Sequence, residues 1–311
     1  MATVSSELPA MSDLLSHPIF GRIGRTPLVP LLRIGGGTVL VKLETANPSG
    51  SVKDRAGGAI VRAALAAGHL PGKRLLDSSS GNTGISYAML GAALGFGVTI
   101  CLPGSASLER KRILRAFGAE VVETDPLEGS DGAILRAREL VAARPHTFYY
   151  ADQYGNPENP GAHQTTTGPE ILAALAGRPL DLFVAGLGTS GTFVGTGRFL
   201  RSASPSTRLA EVQPDAPFHG LEGLKHMATA IVPANYDPRL ADLQATVATE
   251  EAQEMTLRLA REEGLLAGVS SGANVAAAVR LARETGARTV VTVLCDGGER
   301  YLSERMWEPD R

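Results

Sequence analysis

Lys53 stands in Asn47-Pro48-Ser49-Gly50-Ser51-Val52-Lys53-Asp54-Arg55, a single lysine framed by a turn and the start of a helix. The Asn-Pro-Ser-Gly run breaks a preceding strand and Ser51 is placed to cap. The amphipathic pattern that follows predicts a helix to about Ala67. A cation gains nothing from the first turn, where the helix dipole opposes it. Such a position suits an amine that must be neutral when it attacks an aldehyde. Two glycine-rich turns carry further chemistry. Ser78-Ser79-Ser80-Gly81-Asn82-Thr83-Gly84 follows a predicted strand and opens a helix, so backbone amides and small hydroxyls face whatever lies above the strand end. Gly186-Leu187-Gly188-Thr189-Ser190-Gly191-Thr192 does the same and matches the pattern G-x-G-x-x-G.

The elements that must position these loops alternate along the chain. Short β-rich runs are predicted at Val39–Leu43, Arg74–Asp77, Val98–Leu102, Glu120–Glu123, Thr147–Tyr149, Leu182–Ala185, Arg208–Val212 and Thr289–Leu294, with helical patterns between most of them. That alternation predicts an α/β protein with parallel sheets covered by helices. Asp152–Pro160, dense in Asn and Pro, reads as the crossing between two α/β units. Residues Gln213–Pro238 are too long and proline-rich for a simple connection, and read as a functional loop or lid. No internal repeat or low-complexity tract occurs.

The 311 residues suffice for two domains of ordinary size. With 43% hydrophobic and 20% charged residues and a net charge of -2, the chain resembles neither a disordered protein nor a general nucleic-acid binder. Glycine, at 36 residues, exceeds the usual share of roughly 7%, which points to loops that approach a ligand closely. Cys101 and Cys295 accompany apolar runs, and no disulfide framework, zinc site or helical histidine pair is expected. Met1–Met11 lacks the basic and apolar pattern of a signal sequence, and no apolar run approaches the ~20 residues that span a bilayer. A cytoplasmic protein acting on small molecules is expected, with no membrane or nucleic-acid partner.

A dinucleotide site is the first reading of Gly186–Thr192. Glu211 is the one acidic residue near the ribose-binding distance, however, and the loop is rich in Thr189, Ser190 and Thr192. Hydroxyls of that density suit a terminal phosphate monoester better than a pyrophosphate on bare glycine backbone. A phosphate cup together with a special lysine points to pyridoxal 5'-phosphate, which needs an amine to anchor it, a cradle for its phosphate and a partner for its ring nitrogen.

The motifs N-P-S-G-S-V-K-D-R, S-S-G-N-T-G, G-L-G-T-S-G-T and G-V-S-S-G-A, in this order, resemble the cysteine synthase and cystathionine β-synthase family of fold type II pyridoxal-phosphate enzymes, closest to the cysteine synthase B branch. The resemblance runs from about Ile23 to Tyr301. It implies two α/β domains, each with a twisted, mostly parallel sheet covered by helices, and a cofactor cleft between them, usually in a homodimer. Residues 46–154 would be the smaller, mobile domain with the substrate-carboxylate loop. Residues 1–45 plus 155–311 would be the larger domain with the cofactor-phosphate loop. On this resemblance Lys53 carries the cofactor and Asn82 meets its phenolic oxygen. Gly188, Thr189, Ser190, Gly191 and Thr192 hold its phosphate, and Ser270, or its neighbour Ser271, meets the ring nitrogen. Taken alone, the two serines would cap a helix before Gly272.

The same resemblance assigns the substrate carboxylate to Ser79, Ser80, Asn82, Thr83 and Gln153; relatives usually carry Thr where this chain has Ser79. Gly220–Met227 and Tyr154 resemble the B branch. There an arginine at the place of Lys225 meets the phosphate of O-phosphoserine, whereas Lys225 supplies the charge without the fork. The implied activity is that of a cysteine synthase, an O-acetylserine or O-phosphoserine sulfhydrylase. Lys53 removes the α-proton, the leaving group departs from the serine side chain, and a sulfur nucleophile replaces it. Cystathionine β-synthase and serine or threonine dehydratase share this chemistry. A nicotinamide oxidoreductase would have no use for Lys53, and an inert binding partner would need neither Lys53 nor Asn82 nor Ser270. Sulfide, thiosulfate and a thiocarboxylated carrier protein are all open as sulfur donors. The short end Glu304–Arg311 supplies no obvious long tail of the kind some carrier-using relatives fold over the site.

Overall fold

The computed structural model describes residues 11–308, so the first ten residues of the Met1–Met11 stretch read for a signal and the last three residues of the Glu304–Arg311 end lie outside the described residues. Ten strands form two sheets. The first contains β1 (Leu28–Pro30), β2 (Val39–Leu43), β7 (Leu182–Gly186), β8 (Arg208–Pro214), β9 (Leu243–Val247) and β10 (Val290–Leu294), in the order β1-β2-β10-β7-β8-β9. The second contains β3 (Arg74–Ser78), β4 (Val98–Pro103), β5 (Glu120–Thr124) and β6 (Phe148–Tyr150), in the order β5-β4-β3-β6. All neighbours are parallel except β1 and β2.

Parallel strands joined through helices lie buried on both faces, and this explains the unbroken apolar runs. Every residue of β4 and β10 is buried. The six-stranded sheet draws on both ends of the chain, because β10 returns to lie between β2 and β7. The four-stranded sheet is built entirely from residues between Arg74 and Tyr150.

All eight strands read from the sequence exist, with ends shifted by a residue at most except in β8, which runs two residues further, to Pro214. The two additional strands are both sheet edges. β1 is three residues long and ends at Pro30, which an edge tolerates. β9, Leu-Gln-Ala-Thr-Val, buries only alternate positions and lacks the continuous apolar run that marks a central strand.

Helices behave similarly. The Lys53–Ala66 helix starts at Lys53 itself, and its N-cap is Val52 rather than Ser51. The Ser51 hydroxyl still accepts the Lys53 amide, at 3.3 Å. Ser51 is drawn off the cap position by a β-bridge to Asp296 in the loop after β10. The helix Val269–Thr285 is likewise preceded by Gly268 as its cap, so Ser270 and Ser271 lie inside its first turn. Cys101 lies within β4, whereas Cys295 falls just past the end of β10, at the mouth of the cleft.

In an open α/β sheet, ligands gather beyond the carboxyl ends of the strands. Here the segments after β2 and β10 are joined by the Val52 amide, which donates to the Cys295 carbonyl at 2.8 Å, and the segment after β3 meets them through Asn82 Nδ2, which donates to Asp296 Oδ2 at 2.6 Å.

Candidate active site

Two adjoining cavities share Lys53, Asn82, Gly188 and Thr189. One is lined in addition by Ser190, Gly191, Thr192, Ser270, Asn274 and Cys295. The other adds Ser79, Ser80, Thr83, Gln153, Tyr154 and Lys225. Residues separated by more than two hundred positions in sequence thus converge on one amine.

The Gly186–Thr192 loop owes its shape to glycine. A side chain at Gly188 would meet the Gly223 carbonyl at 2.0 Å, and one at Gly191 would meet Asn159 Oδ1 at 1.9 Å. Ser190 takes a left-handed backbone, φ 65°, as the residue that turns strand into helix Gly191–Ala203. Its hydroxyl is buried and has no partner in the protein. A buried hydroxyl without a partner is costly, and a phosphate oxygen at this helix N-terminus would satisfy it. The residues therefore fit the phosphate of pyridoxal phosphate.

The serine alternatives separate in space. Ser271 Oγ accepts the Cys295 amide at 2.9 Å and does not line the cavity, whereas Ser270 lines it. Cys295, between Ser270 and Lys53, has its thiol pushed up to about 11 by burial, with Lys53 pulling the other way. A thiol of that kind stays protonated and is no nucleophile at neutral pH.

On the other side, Ser79 Oγ accepts the amides of Gly81 and Gly84 at 3.0 and 3.1 Å. It thus holds the start of helix Asn82–Leu94, while its own proton remains free for an anion. Serine supplies these bonds as well as threonine does. Thr83 Oγ1 donates to Gln153 Oε1 at 2.6 Å, and Gln153 Nε2 donates to the Ser78 carbonyl, so these two cavity-lining side chains lock one another. Beneath them lies Asp77, fully buried at the end of β3, which accepts the amides of Ser78 and Gln153. Burial pushes its carboxyl up to about 7, against the lowering effect of those two amides.

That proton has a stability consequence. Between about pH 4 and 7 the folded state keeps the Asp77 proton that the unfolded chain has lost, so stability falls as pH rises through this range, by on the order of 1 kcal/mol per pH unit. Urea unfolding across that range is expected to show this slope in the parent and not in Asp77→Asn. Equal slopes in the two proteins would show that Asp77 ionises normally.

Several residues that shape the site carry no local motif. Asn159 Nδ2 bridges the Gln153 carbonyl at 2.7 Å and Thr189 Oγ1 at 2.9 Å, so the segment read as a crossing ties the Gln153 side of the cavities to the Gly186–Thr192 loop. His163, in a π-helical turn, places Nε2 3.3 Å from Thr192 Oγ1 and Nδ1 2.8 Å from Thr167 Oγ1. Burial first, then the charges of Arg55 and Lys53, hold it well below the usual histidine range. Arg110, 1% exposed, donates to the Ser80 carbonyl at 2.6 Å and pairs with Glu222 of the 213–238 loop. The only hint of these contacts in the sequence is a crowded glycine beside each, such as Gly191 beside Asn159.

Lys225 is also placed by a partner that its motif does not reveal. Its ammonium lies 2.5 Å from Asp131 Oδ1 and 5.1 Å from the centre of the Tyr154 ring, and it is buried. Asp131 in turn accepts the Ile231 amide at 2.7 Å.

Residues 19–296 match the family described as pyridoxal-phosphate dependent enzyme. A cysteine synthase of Aquifex aeolicus is 45% identical over 296 residues, covering 92% of this chain and 90% of its own. Among solved structures, O-ureido-L-serine synthase with O-ureido-L-serine bound superposes with a TM-score of 0.89 at 38% identity, covering 94% of each chain. Cysteine synthase from Entamoeba histolytica superposes with a TM-score of 0.86 at 32% identity, covering 99% of this chain and 93% of its own.

Proposed function

The chain belongs to the pyridoxal-phosphate-dependent enzyme family, in its cysteine synthase group, and on that premise we propose that it makes L-cysteine from O-acetylserine and a small sulfur nucleophile. The observation that carries the reading is the convergence of Lys53, Asn82, Ser270 and the Gly188–Thr192 cup on one cavity.

When bound, pyridoxal phosphate supplies a sink for the electron pair freed at the substrate's α-carbon. Gly188, Thr189, Ser190, Gly191 and Thr192 would hold its phosphate, Asn82 its phenolic oxygen and Ser270 its ring nitrogen. Ser270 is neutral, so no carboxylate keeps the nitrogen charged. This suits a reaction in which charge departs at once with a leaving group. Ser79, Ser80, Asn82, Thr83 and Gln153 orient the substrate carboxylate. Lys53 would anchor the cofactor through its amine and, as a neutral amine beside the substrate, would take the α-proton. Acetate leaves with the electron pair of its C–O bond, the sulfur nucleophile, losing its proton, bonds to the β-carbon in its place, and Lys53 would return the proton to the α-carbon to give L-cysteine.

Asp131 supports O-acetylserine over O-phosphoserine as substrate. A phosphate arriving at Lys225 must displace that carboxylate and then endure its charge, whereas an acetyl group carries no charge to repel. The parent is expected to favour O-acetylserine in kcat/KM. Asp131→Asn should raise kcat/KM for O-phosphoserine about tenfold, equivalent to about 1.4 kcal/mol, and Lys225→Ala should lower it, with O-acetylserine moving less in both. An unchanged ratio of the two substrates across the three proteins would remove Lys225 and Asp131 from leaving-group recognition.

The proposal extends to a homodimer in the cytoplasm and to a smaller mobile domain of residues 46–154, a span that holds the whole four-stranded sheet. Supplying the holoenzyme with O-acetylserine and sulfide tests the activity itself. Cysteine formation is expected with sulfide alone, with no protein carrier required, and absence of product would overturn the reading.

A further inference from the structure

Asn82 is held from both edges of its amide. Its Oδ1 accepts from Arg300 Nη1, and its Nδ2 donates to Asp296 Oδ2 at 2.6 Å. A guanidinium can only donate, and Asp296 Oδ2 also accepts the Tyr301 hydroxyl. The two partners therefore fix which end of the amide is which. Nδ2 carries a second hydrogen, and Asn82 lines both cavities.

Arg300 and Asp296 are themselves fixed. Arg300 is 2% exposed; its guanidinium also donates to the Ser49 carbonyl in the turn before Lys53, and its own carbonyl accepts from Ser107 Oγ at 2.7 Å. Asp296 is fully buried, accepts from the Tyr301 hydroxyl at 2.5 Å, and bridges to Ser51. A side chain at Gly50, φ 83°, would meet Arg300 Nη2 at 2.8 Å, so the glycine of the lysine motif leaves room for this arginine.

We propose that Arg300 is a positioning residue: it holds Asn82 so that the amide presents a donor, never its carbonyl, to the phenolic oxygen of the bound cofactor, and so keeps that oxygen ionised. The inference rests on Asn82 meeting the cofactor, as proposed above. A flipped amide would set its carbonyl oxygen against a phenolate, a contact between two acceptors. Partners one step removed from a reactive centre commonly affect binding or activity 10–100-fold.

Arg300→Gln and Arg300→Lys test this on the holoenzyme. Glutamine can accept as well as donate, so Arg300→Gln should shift the lysine-bound cofactor from its visible toward its near-ultraviolet band at neutral pH. It should also move the pH at which the bands exchange and lower kcat about 10–100-fold. Lysine only donates, so Arg300→Lys should retain the visible band. In an Asn82→Ala background Arg300→Gln should leave the spectrum unchanged, since the amide through which it acts is gone. A parent-like spectrum in Arg300→Gln, or an equal shift in the Asn82→Ala background, would overturn the proposal. A parent that binds no cofactor at all would overturn the assignment of the site instead.

Discussion

Lys53→Ala is expected to give a folded, colourless protein whose turnover with O-acetylserine and sulfide falls by at least about 10³-fold, within the range that a positioned proton-transfer group supplies. The proposed mechanism gives this amine two tasks, anchoring the cofactor and taking the α-proton. The phosphate cup and Asn82 do not depend on it, so pyridoxal phosphate should still bind the variant, though reversibly and without the visible band of lysine attachment. Lys53→Arg separates charge from reactivity. A guanidinium keeps the positive charge but does not deprotonate in a protein, so the arginine variant should be as inactive as the alanine variant. Added primary amines should restore part of the turnover to Lys53→Ala, where there is space, and little to Lys53→Arg. Parent-like turnover in Lys53→Ala would place the proton transfer on another group.

Arg55→Met is expected to destabilise the protein by about 3–5 kcal/mol, the cost of breaking a buried ion pair by removing one partner. Arg55 lies two residues beyond Lys53 and is 3% exposed. Its guanidinium donates to Glu44 at 2.7 and 2.8 Å and to Glu170 at 2.8 and 2.7 Å. Glu44 is fully buried, and Lys42 contacts Glu170 at 2.7 Å, so methionine in place of Arg55 leaves two carboxylates facing a single ammonium. Burial would raise the Glu170 carboxyl, but the hydrogen bonds and charge of Arg55 outweigh it and hold the group down to about 2. The resulting stability is fully present above the ordinary value of 4.5 and is lost as pH falls toward 2. Urea unfolding should therefore show a shallower acid loss in Arg55→Met than in the parent. Because this network pins the first turn of the Lys53 helix to β2 and to helix Gly168–Leu175, the variant should also bind cofactor more weakly. Unfolding free energies within 1 kcal/mol of each other, well under the expected loss, would mean that the ion pairs are replaced at little cost.

The site was legible in the sequence where its chemistry is local. A lysine behind a Pro-Ser-Gly turn, a glycine loop rich in hydroxyls and a serine pair opening a helix are each complete within about ten residues. Backbone geometry and chemical role are then set by the same few side chains. Strands paired on both sides, such as β4 and β10, were legible for the same reason, since burial on both faces writes an unbroken apolar run. Among the edge strands, β5 and β6 were legible from their β-branched and aromatic residues, whereas β1, three residues long, and β9, buried only at alternate positions, were not. Ser51 shows the limit from the other side: its type suits a cap, yet a bridge to Asp296, far along the chain, moves the helix start to Lys53.

By itself, then, the sequence determined the α/β class with mostly parallel strands and singled out Lys53 and the two glycine-rich turns. These follow from propensity, periodicity and short-range hydrogen bonding, whereas the two-domain arrangement and the carboxylate loop came from the family resemblance. Only the tertiary structure decided that Ser270 rather than Ser271 faces the cavity, that Lys225 is already paired with Asp131, and that Arg300 and Asp296 grip the amide of Asn82. These are contacts between residues that the fold brings together from distant parts of the chain. Their energy comes from burial and from the complementarity of donor to acceptor, neither of which exists until both sheets are assembled.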